Sequence, residues 1–318
     1  MDFIKQAFKV KHEFWRYLIG SLIIAIFALI GQVPFTIAAI MKHVAEGGSV
    51  YAVDEQRLMT ILEPNLNLFL LLLSFAFGFL GLIIVVKYLH KQTMLSVTTA
   101  RLKVDWKRVM FAFLFWGLIS SGMIIIDYFA SPENYVWNFE LERFLILLVI
   151  AILLIPIQTS LEEYIFRGYL MQGFGLLAKN RWFPLLMTSV IFGGMHVFNP
   201  EVAKLGYGVM VYYIGTGLFL GILTLMDEGM ELALGFHAAN NLFGALLLTS
   251  DWTVLQTHSV LKDVAEPGAG FGDIIIPVFV VFPILLFIFA KVYKWTNWKD
   301  KLFGKIEEPV ENDYTILD

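Results

Sequence analysis

Of the six histidines in this 318-residue chain, only two fall inside apolar stretches: His196 in SVIFGGMHVF and His237 in LALGFHAANNLFGALLL. The acidic residues follow the same rule. Glu162 and Glu163 adjoin the apolar run RFLILLVIAILLIPIQT, which begins at Arg143, with no polar linker between. A charged side chain near a bilayer centre costs about 2.5–3.5 kcal/mol on insertion scales, so ionisable groups in such places are candidates for function.

Helical spacing separates their roles. Glu163 and Arg167 stand four apart with the acid N-terminal to the base, the better order for an intrahelical ion pair that neutralises both at the membrane edge. Glu162 is rotated about 100° from that face, which leaves it an acid without a local partner and therefore available. His237 and Asn241 are also four apart, with Asn240 a competing candidate on the flank of the same face. Phe192 lies one turn before His196 and can wall its pocket. Gly193 and Gly194 remove bulk there, so that a neighbouring helix or an extended peptide backbone can approach.

An acid, two imidazoles and a carboxamide support hydrolysis. The chain has no cysteine, which excludes disulfides, thiolate metal sites and a cysteine nucleophile. The only His-Glu pair, His12-Glu13, lacks the second histidine of HExxH, and no acid in the spans completes a serine triad. Two versions remain. In the metal-free one, Glu162 is the general base for water, helped by His196, while His237 and Asn241 hydrogen-bond the oxyanion. In the metal version, Glu162, His196 and His237 hold zinc and leave a position open for water.

Positioning such groups falls to membrane helices. Hydrophobic residues make up 58% of the chain and charged ones only 16%, against about a quarter charged in a soluble domain. No basic run interleaved with aromatics suggests nucleic acid as a partner. Eight stretches reach toward the roughly 20 apolar residues that a crossing needs: 17–41, 67–89, 109–130, 143–161, 182–198, 206–226, 229–249 and 273–294. The fifth and seventh are the least hydrophobic because they carry the histidines and asparagines. The first is too long for a secretory signal and lacks a small-residue cleavage site, so it is a retained span.

Lysine and arginine alternate between connections in a way that predicts both termini in the cytoplasm, except that the 227–228 turn, with Asp227 and Glu228, gives no support. The expected fold is an all-α polytopic bundle of eight spans around a membrane-embedded polar cavity. Residues 1–16 read as an amphipathic segment along the inner membrane surface, 17–294 as one transmembrane domain, and 295–318 as an interfacial anchor with Trp295 and Trp298 followed by a frayed acidic end from 306. The segment 90–108 is amphipathic and suited to cover the cytoplasmic side. Gly217 and Gly221 form a GxxxG spacing whose first explanation is close helix packing.

At these residues the chain resembles the CAAX protease and bacteriocin-processing enzyme (CPBP) family of intramembrane proteases, which includes type II CAAX prenyl proteases and bacterial Abi-type proteins. Its EExxxR motif is matched by Glu162, Glu163 and Arg167, its FxxxH by Phe192 and His196, and its HxxxN by His237 and Asn241. The three occur in order over about 143–250, which makes them far more specific together than singly. The resemblance implies a cavity open toward the cytoplasm and hydrolysis of a peptide bond, with Glu162 and His196 acting on water and His237 and Asn241 stabilising the oxyanion. It implies a membrane-associated or lipidated protein or peptide as substrate and leaves the zinc question open. Two other readings stand beside it: a non-catalytic scaffold or immunity-type protein on the same fold, and a proton-coupled transporter, which predicts two related halves that the sequence does not show.

Overall fold

The computed structural model describes residues 2–49, 60–266 and 271–308. A short 3₁₀ turn at Ile4–Lys9 leads into α1 (Phe14–Ala45). Next come α2 (Pro64–Ile84), α3 (Met94–Thr98) and α4 (Trp106–Ala130). Then α5 (Leu141–Glu163) passes through a π turn at Tyr164–Leu170 into α6 (Met171–Ala178). The chain continues as α7 (Trp182–Gly194), α8 (Pro200–Leu205), α9 (Met210–Asp227) and α10 (Glu231–Leu247). It ends with α11 (Phe271–Ile276), α12 (Phe282–Tyr293) and α13 (Trp298–Phe303).

Local sequence explains several boundaries. Glu63 caps α2, its carboxylate accepting from the Leu66 amide, and Pro64 takes the first turn where its missing N–H costs nothing. Asp105 caps α4 in the same way through the Lys107 amide. Lys179 and Glu228, both in left-handed conformation, end α6 and α9.

Six of these helical stretches are long and apolar enough to cross a bilayer: Phe14–Ala45, Pro64–Leu89, Trp106–Ala130, Leu141–Ala178, Tyr207–Asp227 and Ile274–Tyr293. The expected span at 182–198 is helical only to Gly194. Thirteen residues rise about 20 Å, short of a hydrocarbon core of about 30 Å. The expected span at 229–249 is the 17-residue α10, also below that length. These are the two segments that carry His196 and His237, and both are packed within the bundle. The molecule is thus an all-α membrane bundle of six long helices and two shorter ones, of which α7 keeps Trp182, Leu186 and Val190 exposed along one face.

Burial separates inner from outer helices. More than half of the apolar stretch of α9 is buried, against less than a fifth of that of α4, whose Leu118, Ile126 and Phe129 face outward. Gly217 lets α9 approach α7 closely, since a Cβ there would lie 2.8 Å from Ser189 Cα, and Gly221 packs on Leu185. The GxxxG spacing is a packing device. An aromatic core of Trp116, Phe219, Phe236, Phe282 and Phe289 joins α4, α9, α10 and α12.

The connections hold more structure than their composition suggested. Strands β1 (Tyr135–Trp137), β2 (Leu248–Ser250) and β3 (Leu261–Asp263) form a small sheet in the order β1-β3-β2, antiparallel for β1–β3 and parallel for β2–β3. It ties the chain leaving α4 to that leaving α10.

The N-terminal segment also departs from expectation. Phe3, Ile4 and Phe8 are buried against Met171, Leu185, Leu225 and Ile306, so their apolar face is covered by protein rather than by lipid. In the tail, Trp295 stacks on Phe289 and donates to Asp227, and Ile306 is buried; of the stretch read as frayed, residues 309–318 lie outside the described residues.

The 90–108 segment and the 227–228 turn explain each other. Arg101 pairs with Asp227 at 3.0 Å and with Glu231 at 3.1 Å, and Arg108 pairs with Asp227 as well. Glu228 accepts from the Phe3 amide and from Lys301. The acids that gave the turn no topological signal are neutralised by basic segments gathered at one end of the bundle.

Candidate active site

The last turns of α5 place Gln158 and Glu162 four residues apart on one face. Gln158 Nε2 donates to Glu162 Oε1 at 2.7 Å. The expectation that Glu162 lacks a local partner is therefore corrected: the partner is an uncharged amide, invisible to a census of ionisable groups. The Glu162 side chain is 16% exposed, which leaves part of the carboxylate accessible.

Glu163 and Arg167 pair at 3.0 Å as their spacing predicts, but in the core and not at a membrane edge, since both side chains are fully buried. Burying an ion pair demands that its remaining hydrogen-bonding capacity be used. The second guanidinium nitrogen donates to the Gly217 carbonyl at 3.3 Å, and the guanidinium carbon lies 4.3 Å from the Phe192 ring centroid, within cation–π range. Glu163 Oε1 takes a second hydrogen bond from His237 Nδ1 at 2.7 Å. Oε2 has no partner.

His237 therefore stands between the two glutamates. A carboxylate only accepts, so Nδ1 carries a hydrogen toward Glu163, while Nε2 faces Glu162 Oε2 at 3.4 Å. One turn later Asn241 Nδ2 donates to Gln158 Oε1 at 3.1 Å. The competing Asn240 turns the other way and accepts from Trp116 Nε1 at 3.1 Å. Helices α5 and α10 thus bring Glu162, Glu163, His237 and Asn241 into one hydrogen-bonded cluster.

His196 is held differently. It lies past the end of α7, with Nδ1 at 2.8 Å from the Phe192 carbonyl. A carbonyl also only accepts, which leaves Nε2 as the free acceptor nitrogen. The ring stacks on Tyr213 at 4.4 Å with an interplanar angle of 23°. Phe192 contacts both imidazoles, with ring centroids 4.8 Å from His196 and 6.2 Å from His237. It also supports Arg167, so its place in the FxxxH spacing has a physical use. Among the described residues no hydrogen bond or ion pair joins His196 to Glu162 or His237. Gly193 packs on Ile214, whereas a Cβ at Gly194 would meet nothing within 4 Å, so only the second glycine leaves open space beside the histidine.

Zinc needs three convergent ligands. Among the described residues no three His, Asp or Glu side chains are grouped to hold a metal ion. His237 Nε2 faces Glu162, but His196 stacks on Tyr213 and is related to His237 only through the Phe192 ring that contacts both. Glu162, His196 and His237 do not fit the metal in this arrangement.

Two contributors were missed from sequence, Gln158 and Tyr213. Gln158 had a usable signal, an amide one turn before the glutamate in an apolar run. Tyr213 had none, since its role depends on where α9 packs.

These features define a class: a polytopic helical membrane protein whose buried centre combines paired glutamates with an imidazole and amides. Residues 141–243 match the family model described as Type II CAAX prenyl endopeptidase Rce1-like, a segment that contains every motif residue from Glu162 to Asn241. The match bears out the resemblance carried by the three motifs and supports a CAAX-protease-type fold for the segment that holds them. A protein of Bacillus subtilis (strain 168), Uncharacterized protein YyaK, is 29% identical over 288 residues, covering 90% of this chain and 93% of the relative. No solved structure matches.

Proposed function

We propose that the chain is an intramembrane endopeptidase acting on a membrane-associated or lipidated protein or peptide. The observation that carries this reading is the juxtaposition of a partly exposed Glu162 with His237 Nε2 at 3.4 Å, on the face that also presents Asn241.

Glu162 takes a proton from water as the water oxygen bonds to the scissile carbonyl carbon. His196, with Nδ1 spent on the Phe192 carbonyl, presents Nε2 as acceptor to the same water. The negative charge that develops on the carbonyl oxygen is met by Asn241, whose Nδ2 has one hydrogen left after Gln158, and by His237 when its Nε2 is protonated. Collapse of the tetrahedral species breaks the C–N bond, and the proton held by Glu162 passes to the leaving amine. Glu163 and Arg167 hold His237 in place and take no part in proton transfer. Both termini lie in the cytoplasm on this reading, as the basic segments gathered around Asp227 and Glu228 favour.

The test uses the full chain purified in detergent with a library of internally quenched peptides. Wild type cleaves, and Glu162→Gln and His196→Ala remain folded and do not. Asn241→Ala lowers turnover about 10²–10³-fold, the scale of one lost oxyanion donor. Cleavage near wild type in Glu162→Gln overturns the assignment. A wild-type chain that cleaves nothing, in detergent or in vesicles, favours the scaffold reading.

A further inference from the structure

Behind Glu162 runs a chain of four hydrogen bonds through three amides: Trp116 Nε1 to Asn240 Oδ1 at 3.1 Å, Asn240 Nδ2 to Asn241 Oδ1 at 3.2 Å, Asn241 Nδ2 to Gln158 Oε1 at 3.1 Å, and Gln158 Nε2 to Glu162 Oε1 at 2.7 Å. Its two ends cannot exchange roles. An indole nitrogen only donates, and an ionised carboxylate only accepts. Every amide between them is therefore fixed in orientation, because turning any one would set two acceptors or two donors against each other. The direction matters at both working positions. It aims one oxygen of Glu162 at Gln158 and leaves Oε2 beside His237. It also commits one Asn241 hydrogen to Gln158 and holds the second in a defined direction.

We infer that Gln158 is a positioning residue, the hinge of a one-way amide relay that starts at Trp116 and sets the geometry of Glu162 and Asn241 together. The inference rests on the reading of Glu162 as the base for water. It assigns work to residues outside the three motifs: Trp116 on α4, Gln158 near the end of α5 and Asn240 on α10. Coupled amides also polarise one another, so the relay acts as a unit and its members are not interchangeable.

The experiment measures kcat and KM on an internally quenched peptide that the wild-type chain cleaves. Gln158→Met keeps length and volume and removes both hydrogen bonds. The expected result is a fall in kcat of about 10- to 100-fold, the size of one lost hydrogen bond to a charged group, with KM unchanged. A residue that only packs would move stability, or KM and kcat together. Trp116→Phe, which keeps an aromatic ring against Phe236 while removing the first donor and the second ring of the indole, is expected to lower kcat by about twofold to fivefold, the lost packing showing in stability and not in kcat. It also decides the matter if Gln158→Met does not fold. Wild-type kcat in a folded Gln158→Met, or in Trp116→Phe when the first variant does not fold, overturns the relay, as does a change confined to KM. Glu162→Gln run in parallel separates the two levels. If it is inactive while Gln158→Met is not impaired, only the relay is lost; if it cleaves normally, the catalytic reading fails first.

Discussion

Replacing Arg167 with methionine removes the guanidinium beside Glu163, a carboxylate with no access to solvent. Glu163 is 0% exposed, and its Oε1 receives Arg167 at 3.0 Å and His237 at 2.7 Å while Oε2 receives nothing. Water cannot take the place of the guanidinium in so closed a position. Breaking a buried pair from one side costs about 3–5 kcal/mol, and the Gly217 carbonyl, which loses the same guanidinium, adds about 1 kcal/mol. The double variant Glu163→Gln, Arg167→Met removes the stranded charge and keeps an acceptor for His237. It is expected to recover about 2 kcal/mol or more of that loss, because replacing both members of a buried pair is often close to neutral. Reversible unfolding in mixed micelles, followed by tryptophan fluorescence, supplies the three free energies. A single variant within 1 kcal/mol of wild type refutes the reasoning, and so does a double variant no more stable than the single.

Two further outcomes are open to measurement. Gly217→Ala sets a Cβ 2.8 Å from Ser189 Cα and 3.0 Å from its carbonyl oxygen, backbone that no rotamer change can move. It should destabilise the chain by about 1–3 kcal/mol, whereas Gly194→Ala, which faces open space, should leave the unfolding midpoint near that of wild type. His90 lies just beyond the Pro64–Leu89 span and is fully buried, and burial pushes its imidazole down to about 4. The unfolded chain then binds the extra proton first, near 6.5, so stability is complete above that pH and falls toward pH 4 by up to about 3 kcal/mol. His90→Asn, which keeps a donor for the Lys11 carbonyl, should flatten that acid limb; an unchanged limb assigns the loss to other groups.

Much of the bundle was legible in the chain because lipid imposes one requirement on every outer helix, a long unbroken apolar run. The six long helices follow from that requirement. The extent of the two shorter ones did not: α7 ends at Gly194 and α10 is 17 residues long, and apolar composition alone does not tell where a helix stops. The sheet of β1, β2 and β3 was hidden for a related reason, since three-residue strands leave no alternation to read.

At the centre, spacing within one helix determined what lies within one turn. The Glu163–Arg167 pair is such a case, and so is the shared face of His237 and Asn241. Which turns of different helices meet was settled only by packing. Glu163, expected to serve Arg167 alone, also holds His237, because Gly235 lets α10 press against α4 at the Val109 carbonyl while α5 closes on its other side. His196, expected in the same cluster, stands across the Phe192 ring. Residue order fixes neighbours 1.5 Å apart along a helix axis, but the contact between two helices depends on side-chain volumes at every level of the interface, and no local pattern encodes that sum.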